Sequence, residues 1–429
     1  KKIFFKKKIL IYGLGKTGIS SYLFLKKNNQ IYFFDDNKKN LFNKKKNFLN
    51  LKNIHKIIFD YILVSPGIDI KKYKIKNFIK SKKNKIITDL DIFYTHNYNN
   101  LIISITGTNG KSTTAKILFN ILKDQNKDVR LAGNIGNAVL NEKKVTKKTI
   151  FVIEISSYQI DYSKFFRSEY AAILNISPDH LERHGNINNY VNSKLKLIKK
   201  QSYKSYSFLN TQNRYLKKFL RRKEIKSKII DVKENLFKRE ISKIKNPYFL
   251  TYGNRENLRF IFSISEKLKL KKIDTLNTLN NFKGLNFRQQ IIYNSNNLSV
   301  INDSKATSFS SSENILDSLK RVYWLVGGIP KSGDKFLMPK NKCKNFTAYI
   351  YGKNKNFFIE NFKNKIRYKT FGNLKEALKN AISDIKLEKI KLKKTILFSP
   401  SAASFDMFKN FEDRGKKFNN LFLKTYLKK

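Results

Sequence analysis

The chain has 429 residues, a mass of 50.5 kDa and a hydrophobic fraction of 41%. These figures exclude a disordered chain and a single ordinary domain, and predict two or three domains of roughly 100–200 residues each. A single cysteine, Cys343, excludes a disulfide framework and a Cys-rich zinc site, and no apolar run approaches the ~20 residues of a membrane helix. Lys and Arg number 89 against 32 Asp and Glu, a formal charge of +57.

That charge is spread through the chain among the Asn, Ile, Phe and Tyr that AT-rich codons also encode. It is therefore read as compositional: a field that can attract an anionic substrate, with no nucleic acid and no membrane expected as partner. The lysine-rich start runs into a short, glycine-containing apolar stretch without a small-residue cleavage site. It reads as the first strand of a cytoplasmic protein.

In chain order, Lys8 to Tyr12 is predicted as a strand, Gly13 to Gly18 as a turn, and a helix starts at about Ile19. Strand Ile31 to Phe34 ends at Asp35 and Asp36, and strand Tyr61 to Val64 ends at Ser65-Pro66-Gly67. Strand Leu101 to Thr106 runs into Gly107-Thr108-Asn109-Gly110-Lys111-Ser112-Thr113, followed by strands Val129 to Ala132, Ile150 to Ile155 and Ala171 to Asn175. Strand Leu298 to Ile301 precedes a turn, Val322 to Val326 ends at Gly327-Gly328, Thr347 to Tyr351 ends at Gly352, and Thr395 to Phe398 ends at Ser399-Pro400. Strands alternating with helices predict an α/β fold with parallel sheets covered on both faces. Ligands then lie outside the carboxyl ends of the strands. The domains are placed at residues 1–89, 90–284 and 285–429.

Gly107 to Thr113 carries the sharpest chemistry. Its glycines let backbone N–H groups wrap phosphate oxygens, Lys111 offsets the β/γ-phosphate charge, the Ser112 hydroxyl suits Mg²⁺, and the next helix offers its positive end. Only two residues separate Gly107 from Gly110, so the spacing departs from the usual P-loop. Gly13, Gly15 and Gly18 fit G-x-G-x-x-G, with Asp35 and Asp36 at the end of the next strand, a nucleotide fingerprint of moderate specificity. Glu154, at a strand end facing the phosphate loop, suits Mg²⁺. His180 and His184 fall in the segment Asn175 to His184. Asn302 to Thr307 places an acid, a base and hydroxyls in a turn, and Ser399 to Asp406 is read as small residues at a helix start. Each segment taken alone is also an ordinary turn or helix cap, and Lys194 looks like any helical lysine.

Together these motifs resemble the Mur ligases, ATP-dependent amide-bond-forming enzymes of peptidoglycan synthesis. The resemblance rests on G-T-N-G-K-S-T, G-N-I-G at Gly133, E-I-S-S-Y-Q at Glu154, D-H-L-E-R-H at Asp179 and N-D-S-K-A-T at Asn302. The starting G-L-G-K-T-G, S-P-G-I at Ser65 and S-P-S-A-A-S-F-D-M-F-K-N-F-E-D-R-G at Ser399 point to the branch that adds D-glutamate. The match runs from about residue 8 to residue 418.

The resemblance implies three domains: a Rossmann-like domain for the UDP end of UDP-N-acetylmuramoyl-L-alanine, a central ATPase domain, and a Rossmann-like domain for D-glutamate. It implies phosphorylation of the alanine carboxylate by ATP and attack of the D-glutamate amine on the acyl phosphate. It assigns Gly107 to Thr113, Asn257, Arg288 and Asp303 to ATP. Two Mg²⁺ ions are expected, one near Ser112 and Glu154, the other at His180 and a carbamylated Lys194. Lys16, Thr17, Asp35, Asp36, Gly67 and Asn134 match positions for the UDP-sugar; Lys305, Thr307, Lys331, Ser404, Phe405 and Phe411 match positions for D-glutamate. Lys111, Glu154, His180, Lys194 and Lys305 are the expected catalytic set, in a cytoplasmic monomer. Two departures stand out: Glu182 replaces the usual Asp, and Gly284 to Gln289 lacks the Pro-His pair before Arg288.

The competing readings are another Mur-type ligase adding L-alanine or a diamino acid, a folylpolyglutamate synthase, an NAD-dependent oxidoreductase built on Gly13 to Gly18, and a basic nucleic-acid binder. The oxidoreductase leaves Gly107 to Thr113, Glu154 and His180 unexplained. A nucleic-acid binder should show steeply salt-dependent affinity.

Overall fold

Short apolar runs rich in Ile, Val, Phe and Tyr bury themselves as strands, and among the described residues sixteen of them form three sheets. The computed structural model describes residues 3–37, 47–72, 74–220, 224–249, 252–388 and 392–427. The first sheet holds β1 (Lys8–Tyr12), β2 (Gln30–Phe34), β3 (Tyr61–Val64) and β4 (Ile86–Ile87), all parallel, in the order β2-β1-β3-β4. The second holds β5 (Ile102–Thr106), β6 (Val129–Gly133), β7 (Ile150–Glu154), β8 (Tyr170–Ile173), β9 (Tyr206–Leu209) and β10 (Lys228–Asp231), again parallel, in the order β10-β9-β8-β5-β7-β6. The third holds β11 (Gln290–Asn294), β12 (Leu298–Asn302), β13 (Val322–Val326), β14 (Phe346–Tyr351), β15 (Arg367–Phe371) and β16 (Lys394–Phe398). Its order is β11-β12-β16-β13-β14-β15, and only β11 runs antiparallel to its neighbour.

Period-two alternation sends each strand's side chains to opposite cores. Ile9 and Ile11 of β1 join one cluster with Leu63, Ile102, Phe151 and Ile173, whereas Leu10 and Tyr12 join another with Ile62, Val64 and Phe78. In the third sheet Trp324, Val326, Ile350 and Leu397 pack on one face, and Leu325, Tyr349, Ile396 and Phe398 on the other. The central strands β5, β12 and β16 are buried at every position, as expected for parallel strands covered on both sides. The edge strands β10 and β15 are largely exposed and carry Lys228, Arg367 and Lys369, charges that discourage edge pairing.

The chain divides into two compact units: residues 1–239 with 257–278, and residues 240–256 with 279–429. The first contains two sheets, joined through Asp91. That residue closes a capping box with Thr88. Its Oδ1 accepts from Ser163 Oγ (2.8 Å) and the N–H groups of Lys164 (2.8 Å), Phe165 (2.6 Å) and Phe166 (3.1 Å). No helix among the described residues is long and apolar enough to cross a membrane.

Two local expectations are corrected. The first helix spans Lys16–Leu25 rather than beginning near Ile19, so Gly18 lies in its first turn. The segment after β16 does not start a helix at its small residues. Ser399 to Asn410 forms turns, and the helix runs over Phe411–Phe422, capped by Asn410 Oδ1 accepting from Asp413 N (2.8 Å).

Candidate active site

The loop after β5 leads directly into the helix Lys111–Asp124. Gly110 caps that helix in the left-handed region with φ +82°, and a Cβ there would fall 2.2 Å from Asn257 Oδ1. Only glycine fits both demands. The loop is held from the β8 side. Thr108 N donates to Asn175 O (3.0 Å), Asn109 N to Asn175 Oδ1 (2.8 Å) and Ser177 N to Thr108 Oγ1 (3.0 Å). Lys111 Nζ folds back onto the carbonyls of Gly107 (2.9 Å) and Thr108 (2.6 Å). An ammonium resting on its own loop can exchange these carbonyls for phosphate oxygens.

Around this loop the first unit gathers the groups expected at the metals. Ser112 is buried in the first turn of the helix. Glu154 ends β7; its Oε1 accepts from Asn134 Nδ2 (3.0 Å), while its buried Oε2 accepts no hydrogen bond among the described residues. An anionic oxygen with unused lone pairs fits a hard divalent cation. Asn257 Oδ1 is likewise buried beside Gly110 and has no partner among the described residues, which fits a nucleotide donor.

Lys194 is 1% exposed, and its Nζ donates to Gly107 O (2.9 Å) and Thr106 Oγ1 (3.4 Å) and lies 4.6 Å from the Tyr190 ring centroid. Burial, then the neighbouring Lys111, hold its amine well below the ordinary lysine range, against the pull of Asp179 and Glu154. His180 caps the short helix Leu181–His184 with φ +56°, its ring 4.9 Å from that of Tyr158. Nε2 faces Asp179 at 3.4 Å and Nδ1 faces Glu182 at 3.5 Å. His184 is buried, with Nε2 3.1 Å from Ser157 Oγ, and burial pushes its pKa down to about 4.

The positions matched to the UDP-sugar lie in the same unit, at the carboxyl ends of the first sheet. Leu14 N donates to Asp35 Oδ2 (2.7 Å), and Tyr12 OH to Asp36 Oδ2 (2.6 Å). Ser65 Oγ donates to Gly13 O (2.6 Å). The turns are pressed together: a Cβ on Gly18 would fall 2.1 Å from Gly13 O, and one on Gly13 2.8 Å from the Ile68 side chain. Lys16 and Thr17 open the helix beside them, and Gly67 lies in the turn after β3. Asn134 stands apart from this group, at Glu154.

The second unit collects the rest. Asp303 follows β12, accepting from Gln289 N (3.1 Å) and Ser399 Oγ (3.2 Å). Burial pushes its pKa up to about 7, partly opposed by these hydrogen bonds and by Arg288 and Arg414. Lys305 Nζ sits 3.9 Å from the Phe411 ring centroid. Ser404 is buried and accepts through its carbonyl from Phe408 N (2.9 Å), whereas Phe405 is 73% exposed. Thr307 precedes the helix Phe309–Leu316, and Lys331 follows β13. Phe287 is buried with φ +61°, and a Cβ on Gly415 would fall 2.3 Å from its ring.

A Mur ligase middle domain matches residues 105–254. A UDP-N-acetylmuramoylalanine–D-glutamate ligase of Rickettsia prowazekii (strain Madrid E) is 35% identical across 97% of this chain and 98% of its own length. The chain belongs to the Mur ligase family. A second ligase of the same name, from Rickettsia felis, is 33% identical across 97% of each chain. Among solved structures, a MurF ligase of Thermotoga maritima in complex with ADP shares the fold with a TM-score of 0.58 at 13% identity, covering 99% of each chain.

In this Mur ligase the sequence reading left unassigned four residues that the fold packs around the candidate metal groups: Tyr158, Arg183, His184 and Tyr190. The His184 ring stacks on Tyr158 (5.6 Å) and meets Tyr190 (5.4 Å), and Tyr190 OH lies 3.1 Å from Thr108 Oγ1. Tyr158, Arg183 and His184 sit inside quoted motifs, but nothing in their spacing reveals that they meet.

Proposed function

We propose that this chain joins D-glutamate to UDP-N-acetylmuramoyl-L-alanine at the expense of ATP. An oxygen of the alanine carboxylate attacks the γ-phosphorus, and ADP departs. The D-glutamate amine then adds to the carbonyl of the acyl phosphate, and the tetrahedral adduct expels phosphate while the nitrogen loses its proton. The observation that carries this reading is the convergence of Lys111 and Lys194 on the carbonyl of Gly107 in one phosphate-type loop, with Glu154 ending the neighbouring strand beside Ile105.

Lys111 and the N–H groups of Gly107 to Thr113 bind and orient the phosphates. Ser112 and Glu154, and at a second place His180 and Lys194, would hold Mg²⁺, which would supply charge neutralisation to the transferring phosphoryl group. Lys194 serves as a carbamate: its neutral amine adds CO₂ and releases a proton, replacing a cation beside the metal by anionic oxygens. Its burial supports this, because the depressed amine is the reactive form. Asn257, Arg288 and Asp303 hold the nucleotide. Lys16, Thr17, Asp35, Asp36, Gly67 and Asn134 hold the UDP-sugar. Lys305, Thr307, Lys331, Ser404, Phe405 and Phe411 hold and orient D-glutamate, with lysines suited to a dicarboxylate. Residues 1–89, 90–284 and 285–429 divide these tasks in a cytoplasmic monomer.

The test is phosphate release from ATP with UDP-N-acetylmuramoyl-L-alanine and D-glutamate, L-glutamate, L-alanine or diaminopimelate. Rapid release with D-glutamate alone is expected. Equal turnover with L-alanine or diaminopimelate would overturn the assignment.

A further inference from the structure

Arg183 spans two segments of the first unit that the proposed reaction must keep in register. Its Nη2 donates to Ile68 O (2.6 Å) and to Tyr162 OH (3.1 Å), and approaches Pro66 O at 3.5 Å. Those carbonyls belong to the turn after β3, which carries Gly67 and is pressed against Gly13 by Ser65 and Ile68. The central carbon of the same guanidinium lies over the Tyr158 ring, 4.6 Å from its centroid, and 5.5 Å from that of Tyr162. Tyr158 in turn backs the rings of His180 (4.9 Å) and His184 (5.6 Å). Lys72 Nζ adds a second tie, donating to Glu182 O (3.1 Å).

We propose that Arg183 is a positioning residue that fixes the UDP-binding turn Ser65 to Ile68 to the metal-facing segment His180 to His184. It thereby sets where the alanine carboxylate arrives when the uridine end is bound. The proposal rests on the functional reading above at both ends. The chemistry requires arginine: one planar group must donate in its plane to carbonyls and stack by its face on an aromatic ring, which an ammonium cannot do at once. The bond to Ile68 fixes the turn, and the stack fixes the ring behind His180. Loss of either leaves both binding ends intact but unregistered, which costs rate more than affinity for either end alone.

Arg183→Ala and Arg183→Lys in the full chain test this. The expected result is a kcat lowered by about 100-fold, with the KM for ATP and D-glutamate within about twofold of the parent and calorimetric affinity for UDP alone unchanged. The affinity that the substrate gains over UDP should shrink, and added guanidinium ion should restore part of the alanine variant's rate. Should that variant fail to fold, Arg183→Lys and Tyr162→Phe carry the same comparison, the latter with a smaller loss. A kcat within about twofold of the parent in both Arg183 variants, with normal UDP binding, would overturn this inference alone. So would a loss of rate that merely follows a lowered Tm and is not restored by guanidinium. A parent enzyme that binds no UDP would overturn the reading of the Gly13 to Ile68 region and this inference with it.

Discussion

The terminal nitrogen of Lys194 lies 2.9 Å from the carbonyl oxygen of Gly107, the first residue of the phosphate loop. A lysine this deeply buried is rare unless it is paired or functional, and here its partners are a carbonyl, a hydroxyl and an aromatic face. Lys194→Ala is therefore expected to lower kcat by at least about 100-fold, ~2.7 kcal/mol of barrier. Acetate or another small carboxylate should restore part of the rate. Lys196, paired with Asp161 at 2.6 Å, is the control, and its replacement by Ala should leave kcat within about twofold. An active Lys194→Ala enzyme would remove the carbamate from the mechanism.

Glu154→Gln keeps the shape of the side chain and the Asn134 contact but replaces the unpaired anionic Oε2 by a neutral amide. The Mg²⁺ concentration giving half-maximal turnover should rise at least about tenfold, since a hard cation prefers an anionic oxygen. Titration of phosphate release with Mg²⁺ reads this directly. An unchanged midpoint would place the metal elsewhere.

Gly18→Ala forces a Cβ to within 2.1 Å of Gly13 O, so the turn must open. The expected outcome is a rise of about tenfold or more in the KM for the UDP-substrate, with ATP affinity unchanged. A stability loss of about 1–3 kcal/mol should accompany it, as for other overpacked sites. Equal losses for both nucleotides would mean that the turn serves folding and not the uridine end.

Asp89 is buried with an unpaired Oδ1, and burial raises its pKa from 3.8 to about 7. The folded state thus binds this proton more tightly than the unfolded state does. Stability from the protonated form is present below the unfolded value and is lost as pH rises through about 7. Asp89→Asn lacks that loss. Its Tm should match the parent near pH 4 and exceed it near pH 8, by an amount equivalent to a few kcal/mol at most. Thermal unfolding across this range measures it, and a constant difference would contradict the assignment.

Cys343 is buried, with its thiol pushed up to about 11 by burial. A thiol-selective reagent should leave ligase activity intact in the native protein and label the chain stoichiometrically only in denaturant. Rapid native labelling would show that the surrounding segment opens.

Much of the fold was legible because the central strands are uninterrupted apolar runs bounded by glycine. β1, β3 and β13 match their expected limits residue for residue. The strands left out, β4, β9, β10, β11 and β15, are short or carry charged and polar residues on exposed edges, as in Lys228 to Asp231 and Arg367 to Phe371. In β10 and β15 the apolar pattern is broken for the same reason that these strands are safe at an edge. The first helix began early because Lys16 and Thr17 can enter a helix as readily as a turn. The phosphate loop was legible because its chemistry is local. The grouping of Tyr158, Arg183 and His184 was not, because it is assembled from side chains of separate helices. Lys194 is set apart by its burial, which the sequence of a chain with 89 basic residues does not reveal.

Phe287 and Gly415 fit like a peg and its socket, the ring occupying the space where any larger residue at the helix position would place its first carbon. The two positions therefore cannot change separately. An imidazole at 287 would leave no more room, because its Cγ and a δ ring atom stand where the benzyl Cγ and Cδ1 do, so either ring demands glycine at 415. A side chain can enter at 415 only where the residue at 287 gives up its ring.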